Sequence, residues 1–503
     1  MLFRSAERLA GVRVPPTLTA VLQARVDLLS GQEKMTLQRA SVIGRTFWAE
    51  ALQFLEGSLS SGRDPLQALL ALRQREMVFL QPESAFATTD EYIFKHALLR
   101  DTVYESVLKR QRRAYHARVA DWLLKHCGTR EGEFLGLIAD HLERSGQVEL
   151  AIQYLVRAGE NGFATYAYRE AAEYFARALD LLSADSQECI ALFVKSGRAH
   201  WYLGEYGRAQ ELLQAGVQMG KRYGDDGSCA DALCDLGGIE RKYGNWAAAR
   251  ACLNESLNLA RKQGDAVRIA HALYGLAWVD IRQGDYPAAR ALLLESRTLY
   301  QAAGERRGLA DALNGLGSVA LNLEAYEEAR TLYRESLALC RELDDQPGAS
   351  AALVNLGETA RRQGDYRSAQ QFYEASLEID RQIGDELLEA MTLGNLGHTA
   401  QACGEYLAAE QYYRLGLKTA VAIESVPDML DGLAGLAGVL ARTGRQEAAR
   451  EVLGVVLHHP ALEEESRLIA EQALAILLPQ QVQASQQELK ALVKSVLATA
   501  LPV

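Results

Sequence analysis

The sequence predicts an all-α protein: a right-handed α-solenoid of 40-residue helix pairs, preceded by a small α+β domain. Three observations predict it. First, Gly204–Tyr206, Gly244–Trp246, Gly284–Tyr286, Gly364–Tyr366 and Gly404–Tyr406 share one 40-residue phase, which Tyr326 and Gly444 each keep in part. Alanine recurs in register at 209, 249, 289, 329, 369, 409 and 449, and a second glycine column runs through Gly224, Gly264, Gly304 and Gly384. A fixed period of this length marks stacked supersecondary units that share one core. Second, only ten prolines occur and none lies between Pro82 and Pro287, which favours helices throughout that tract. Third, residues 1–130 carry a net charge of +6 and the remainder −17, so the chain divides into regions of different character.

The elements follow in order. Residues 1–95 read as short helices at VPPTLTAVLQARVDLL, QEKMTLQRASVIG, WAEALQFL and DPLQALLALRQREM, then two short apolar runs around a polar turn. Helices followed by a small hairpin describe a winged-helix-like domain. Residues 96–132 are connecting helices, with DTVYESVLKRQRRAYHARVADWLLKH expected as one long helix. Residues 133–189 read as irregular repeats, in which GQVELAIQYLVRAG and YREAAEYFARAL look like second helices of pairs. Residues 190–457 form the regular array, and 458–503 are expected to cap it with helices near 461–477 and 484–498. In each regular unit, helix A ends at the first glycine, an Asp, Asn or Glu follows as a helix start, and helix B ends at the second glycine. Glycine inside helix A, at Gly237, Gly317, Gly357 and Gly397, costs about 1 kcal/mol relative to alanine and implies close approach of a helix B.

The Leu-Gly pairs at 236–237, 316–317, 356–357 and 396–397, an alanine twelve residues on and a large residue four later resemble the tetratricopeptide repeat (TPR), in the 40-residue form of kinesin light chain-like repeats. VPPTLTAVLQARVDLLSGQEKMTLQRASVIGRTFW and EYIFKHALLRDTVYESVLKRQRRAYHARVADWL resemble the winged-helix segment of signal-transduction ATPases with numerous domains (STAND), specifically bacterial predicted ATPases in which an AAA-type module precedes TPRs. Some such proteins carry a cyclase domain, others a LuxR-type DNA-binding domain. The resemblance implies a regulatory arm that binds a protein, peptide or effector. It also implies a nucleotide contact for His96 when an ATPase module is present.

No G-x-x-x-x-G-K-[ST] phosphate loop occurs, and Gly220-Lys221 is followed by Arg222 without the hydroxyl that holds magnesium. An ATPase module, if it belongs with this chain, is expected outside it. The chain itself is therefore read as a non-enzyme with no cofactor. Seven scattered cysteines without CxxC, and nine histidines without HExxH, give no disulfide framework or zinc site and fit a reducing cytoplasm. No apolar run reaches the roughly 18 residues of a membrane span, and MLFRSAERLAGVRVPP lacks a secretory core. The acidic repeats are a poor nucleic-acid surface; Lys109, Arg110, Arg112, Arg113 and Arg118 read as a helix face or a surface for a missing domain.

Binding candidates lie on the A helices, which should line the concave face. Asn355 and Asn395 precede the Leu-Gly pair in one phase, which Asp235 shares and which Gly275, Gly315 and Gly435 leave blank. An amide offers a peptide unit both a donor and an acceptor, and resemblance to kinesin light chain-like repeats implies that such asparagines hold an extended peptide backbone. Arg241, Trp278, Arg282, Asn314, Arg361, Arg362 and His398 lie along the same helices, as do His271 and Tyr274. Two other readings remain: part of a nucleotide-hydrolysing or cyclase enzyme whose catalytic domains lie elsewhere, and a DNA-binding regulator.

Overall fold

The computed structural model describes residues 16–56, 65–462, 464–477 and 488–498. The readings that fall on 1–15 and on 484–487 lie outside them. Two compact units are present, Met1–Tyr223 and Gly224–Val503.

The first unit opens with α1 (Pro16–Asp27), α2 (Gly31–Ile43), β1 (Thr46–Trp48), α3 (Ala49–Glu56), α4 (Pro65–Gln74), β2 (Val78–Leu80) and β3 (Glu91–Phe94). The expected hairpin strands β2 and β3 pair antiparallel. A third strand, β1, was not expected; it pairs on the other edge of β3, giving the order β1-β3-β2. Three residues are too few to show alternation, so β1 is set by its cross-strand partners. Trp48 on β1 donates its indole N–H to Glu91 at 2.8 Å and stacks on Trp122 with ring centroids 5.4 Å apart.

The expected long connecting helix is two: α5 (Ala97–Glu105) and α6 (Lys109–His126). The break at 106–108 has a local cause. Ser106 donates its hydroxyl to Val103 O at 2.5 Å, competing with the helix ladder, and Val107 is buried where a continuous helix would carry it onward. The arginine side chains then hold this region together. Arg112 donates to Val107 O at 2.7 Å and pairs with Glu105. Arg118 donates to the carbonyls of Leu55 and Phe54, the C-terminal end of α3. Lys109, Arg110 and Arg113 remain exposed.

Helices α7 (Glu131–Ser145), α8 (Val148–Ala164), α9 (Tyr168–Leu181), α10 (Cys189–Tyr202) and α11 (Tyr206–Tyr223) complete this unit, each packed on the next. Beneath them lies a buried histidine pair. Tyr104 bonds His116 Nε2 at 3.0 Å, His116 Nδ1 bonds His141 Nδ1 at 2.8 Å, and His141 bonds the Ile43 carbonyl. All three bonds are satisfied with both rings neutral when Tyr104 donates to His116, whose Nδ1–H donates to His141, whose Nε2–H donates to Ile43. Burial, aided by Arg144, Arg100 and Arg112, pushes His116 down to about 3. Burial, with His116, Arg144 and Arg100, holds His141 well below its ordinary value against the Ile43 bond.

The second unit is the regular array: α12 (Asp226–Lys242), α13 (Trp246–Gln263), α14 (Ala266–Gln283), α15 (Tyr286–Ala303), α16 (Arg306–Asn322), α17 (Tyr326–Glu342), α18 (Gln346–Arg362), α19 (Tyr366–Ile383), α20 (Glu386–Ala402), α21 (Tyr406–Ala422), α22 (Val426–Arg442) and α23 (Gln446–Val456), then α24 (Glu464–Ile476) and α25 (Leu489–Ala498). No strand occurs among its described residues. Of the helix-B starts, Asp285 and Asp365 cap as expected and Glu405 makes no side-chain cap; Asp265, Glu305, Asp345 and Asp385 cap the A helices, which was not expected. Asn245 makes no cap; its amide donates to Glu240 instead, at 2.8 Å.

The internal glycines are packing sites. A Cβ built on Gly237 would meet Leu253 at 2.6 Å, on Gly317 Tyr333 at 2.6 Å, on Gly357 Tyr373 at 2.7 Å and on Gly397 Tyr413 at 2.5 Å. The large residue therefore lies sixteen positions after the glycine, in helix B of the same pair. The blank glycines admit the same side chains from the opposite side: Gly275 faces Leu253, Gly315 faces Leu293 and Gly435 faces Tyr413, each from the preceding pair. In the first unit Gly159 meets Phe175 at 2.4 Å and Gly197 meets Leu213 at 2.7 Å. The same relation thus makes α8 an A-type helix with α9 as its partner, which corrects the reading of both as B helices.

The two glycine columns at helix ends adopt positive φ throughout. Where the column lacks glycine, the chain adopts it anyway: φ is 59° at Glu324, 53° at Asp344 and 58° at Glu424. The left-handed region costs a residue with a Cβ about 1–2 kcal/mol, and a glycine gives part of that back as unfolded-state freedom. Glu324→Gly is expected to stabilise the fold by roughly 0.5–1 kcal/mol in urea unfolding; an unchanged or lower midpoint would argue against strain there.

Candidate functional site

A helices of neighbouring pairs pack on one another, α12 on α14, α14 on α16, α16 on α18 and α20 on α22, and the succession of A helices is the row considered for binding. All the predicted binding residues lie on this row, and the structure separates them into engaged and open groups.

The amides come together. Asn355 donates to Asn314 Oδ1 at 2.9 Å, across neighbouring A helices. Asn395, half-buried in the same phase, has no side-chain hydrogen bond among the described residues. Asp235 is half-buried in the same phase, three pairs before Asn355.

The cations divide. Arg361 and Arg362 converge on one carboxylate, Glu358, at 2.7 Å each, and the Tyr373 hydroxyl donates to it at 3.3 Å. Burial works to raise the Glu358 carboxyl, but the two guanidinium groups outweigh it and hold it low. Burial likewise opposes the charge on Arg361, and the bonds to Glu358 outweigh it. Arg241 and Arg282 have no such partner among the described residues. The Arg241 guanidinium lies 5.7 Å from the centre of the Trp278 ring, and Arg282 is exposed. Burial, together with the like charge of Arg282, pushes the Arg241 pKa down, with Tyr274 opposing.

His398 is engaged internally. Its Nε2 lies 3.1 Å from Asp431, its Nδ1 lies 2.8 Å from the Tyr413 hydroxyl, and Ser466 of α24 donates to the other oxygen of Asp431 at 3.0 Å. Burial raises Asp431, and the bonds from His398 and Ser466 bring it below its ordinary value. This chain ties α20, α21, α22 and α24 together, so His398 acts first as a structural link. His96, at the start of α5, is exposed; its backbone carbonyl takes the first helical bonds and its side chain makes no cap.

Sequence reasoning missed three acidic groups. Glu358 was legible, since it stands three and four residues before the two arginines, the spacing at which helix side chains meet. Asp311 lies exposed on the A-helix row, one turn before Asn314. Asp380 is fully buried behind the row, bonded by Ser350 at 2.5 Å and Thr392 at 3.0 Å, and burial raises it. Its contacts are all internal hydroxyls, which makes it a packing element.

No group of three or more His, Cys, Asp or Glu able to hold a metal occurs among the described residues. A shallow groove of about 600 Å³ lies between α19 and α21, lined by Leu377, Leu393, Tyr412 and Leu415 with Glu374 and Arg381. No described helix is long and apolar enough to cross a membrane.

Comparison with known proteins agrees with this architecture. Residues 228–302 and 308–382, which cover α13, α14, α17 and α18 and nearly all of α12, α15, α16 and α19, match the family model of the tetratricopeptide repeat. A STAND protein with a tetratricopeptide repeat sensor from Pyrococcus horikoshii is similar in structure, with a TM-score of 0.51 at 15% identity, over 92% of this chain and 66% of that one. The apo form of the quorum sensor NprR from B. thuringiensis aligns with a TM-score of 0.45 at 15% identity, over 64% of this chain and 93% of that one. An uncharacterized protein of Rhizobium meliloti (strain 1021) is 29% identical over 139 residues, which span 26% of this chain and only 14% of that relative. Residues 228–302 and 308–382 thus match tetratricopeptide repeats, within an α-solenoid similar in fold to a STAND protein with a tetratricopeptide repeat sensor.

Proposed function

We propose that this chain is a protein-interaction and sensor scaffold whose A-helix row lines a concave face and takes an extended segment of a protein or peptide. The observation that carries the reading is the run of half-buried amides Asn314, Asn355 and Asn395 on successive A helices. Two of them are bonded only to each other, and the third has no side-chain partner among the described residues. An extended strand presents a donor and an acceptor at every residue, and buried amides that can meet both supply affinity without demanding a particular side chain. On this reading the chain is the regulatory arm of a cytoplasmic signal-transduction ATPase, its N-terminal helices and three-stranded sheet act as the winged-helix segment, and His96 faces nucleotide when an ATPase module is present.

The test is selection of peptides from a random library on the full chain. Asn355→Ala combined with Asn395→Ala is expected to weaken the selected peptides by roughly tenfold or more, because each lost hydrogen bond is worth about 0.5–1.5 kcal/mol net. Helical content should not change. Peptides whose affinity ignores both substitutions, or that crosslink to B helices, would rule the reading out.

A further inference from the structure

We propose that the groove between α19 and α21 receives an amphipathic helix of a partner protein, one with a Leu/Val stripe and two basic residues four apart. This surface is made mainly by B helices, so it is independent of the peptide reading of the A-helix row.

The array itself shows what such a groove holds. Moved on by one 40-residue pair, α19 and α20 become α21 and α22, and it is on α21 and α22 that α25 packs. Leu489, Leu492 and Val493 of α25 are buried and Val496 is half-buried, the i, i+3, i+4, i+7 stripe of an amphipathic helix. Leu377 and Leu393 of the groove correspond to Leu417 and Leu433, which share one apolar cluster with that stripe. Arg414, in the place of Glu374, donates to the Val496 carbonyl. The groove one pair earlier repeats this helix-binding surface, but its wall residue Leu415 is 46% exposed where the corresponding Val455 is 5% exposed. Glu255, Glu295 and Glu335, all exposed, hold the Leu415 position in earlier pairs. An apolar strip of leucines and Tyr412 thus replaces a charged outer surface at this groove, the form in which an amphipathic helix is taken up.

Charge then selects the helix. Arg381 is already paired with Glu389 at 2.8 Å. Glu374 and Glu378, exposed and one helical turn apart, accept bonds from Gln370 and Gln382 and make no ion pair among the described residues. Two carboxylates at i and i+4 match Lys or Arg at i and i+4 of an opposing helix, and such complementarity fixes which partner docks and in which register. In its present polarity α25 is not that helix. Its C-terminal carbonyls, held by Arg414 in its own site, would meet Glu374 here, and a helix C-terminus carries partial negative charge. The groove therefore calls for a different helix, one that brings its own cations.

The probe is a fluorescein-labelled peptide LKALVKSVLA, stapled on its polar face to hold it helical, with LEALVESVLA as the charge-reversed arm. Each is titrated into the full chain and followed by fluorescence anisotropy. The lysine peptide should bind saturably and at least tenfold more tightly than the glutamate peptide. Leu415→Glu, which restores the residue of the earlier pairs at an exposed position, should weaken it at least tenfold. Leu294→Glu, at a 44% exposed position on α15, should change nothing. Glu374→Lys combined with Glu378→Lys should reverse the preference between the two peptides. No saturable binding, or binding that ignores Leu415→Glu, overturns the groove. Equal affinity for the two peptides, or a preference that the lysine substitutions leave in place, overturns the charge assignment. Sedimentation of the full chain as a dimer that Leu415→Glu dissociates gives the groove to a second copy and overturns the partner helix. None of these outcomes involves the asparagines, so the groove can fail while the peptide reading stands, and the reverse.

Discussion

Lowering the pH from 7 to 5 is expected to remove about 2 kcal/mol of stability from the N-terminal unit through His116 alone, with His141 adding in the same direction. Both rings are buried and neutral, 1% and 3% exposed. The folded unit therefore refuses a proton that the unfolded chain accepts near pH 6.5. The stability is fully present above that pH and is lost as the pH falls, until His116 itself titrates at about 3. At pH 5 the loss is set by the distance from 6.5, about 1.5 units at 1.36 kcal/mol each. His116→Asn keeps an N–H where Nδ1 donates to His141 but removes one proton site. Urea unfolding followed by near-ultraviolet circular dichroism of the stacked Trp48 and Trp122 reports this unit. The difference between pH 7 and pH 5 should shrink by about 2 kcal/mol in the variant. Equal pH dependence in both proteins would mean that the pair is hydrated and titrates normally.

Gly357→Leu is expected to destabilise the second unit by about 1–3 kcal/mol or more. The first atom of the new side chain would already lie 2.7 Å from the Tyr373 ring, and Tyr373 is fully buried. Better helix propensity returns at most about 1 kcal/mol, so the clash decides the sign. Gly207, at the start of α11, has nothing within 4 Å of a built Cβ. Gly207→Leu is therefore the matched control and should be neutral or slightly stabilising. Equal melting temperatures for the two variants would show that the helix-A glycines do not serve packing.

The period, the helix pairs and their caps were legible because each depends on residues within about twenty positions of one another. Glycine at the helix ends, acid at the starts and alanine in register are local requirements of the turn. The sixteen-residue relation between glycine and large side chain was also in the sequence, and applied to Gly159 and Phe175 it assigns α8 and α9. What could not be read depends on distant partners. β1 exists because β3, more than forty residues on, gives it hydrogen bonds. The His116 and His141 pair joins α6 to α7 over a hydrogen-bond acceptor on α2. At the site, the residue types were legible and their engagement was not: Asp431, thirty-three positions away, occupies His398. Only the folded row shows that Arg361 and Arg362 are balanced while Arg241 and Arg282 are not.

The glycine packing also governs how such a chain can change length. Tyr413 is held between Gly397 of its own pair and Gly435 of the next, and Leu253 between Gly237 and Gly275. Each joint is a dovetail cut only between neighbours, with no reference to the rest of the array. Excising residues 366–405 would set Tyr413 against Gly357 on one side and leave Gly435 on the other, so the joint closes with the same shapes. A cut that is not a whole number of 40-residue pairs would put a side chain where the groove has no room. The array is thus a ruler graduated in single helix pairs, and whatever lies along it must be measured in the same steps.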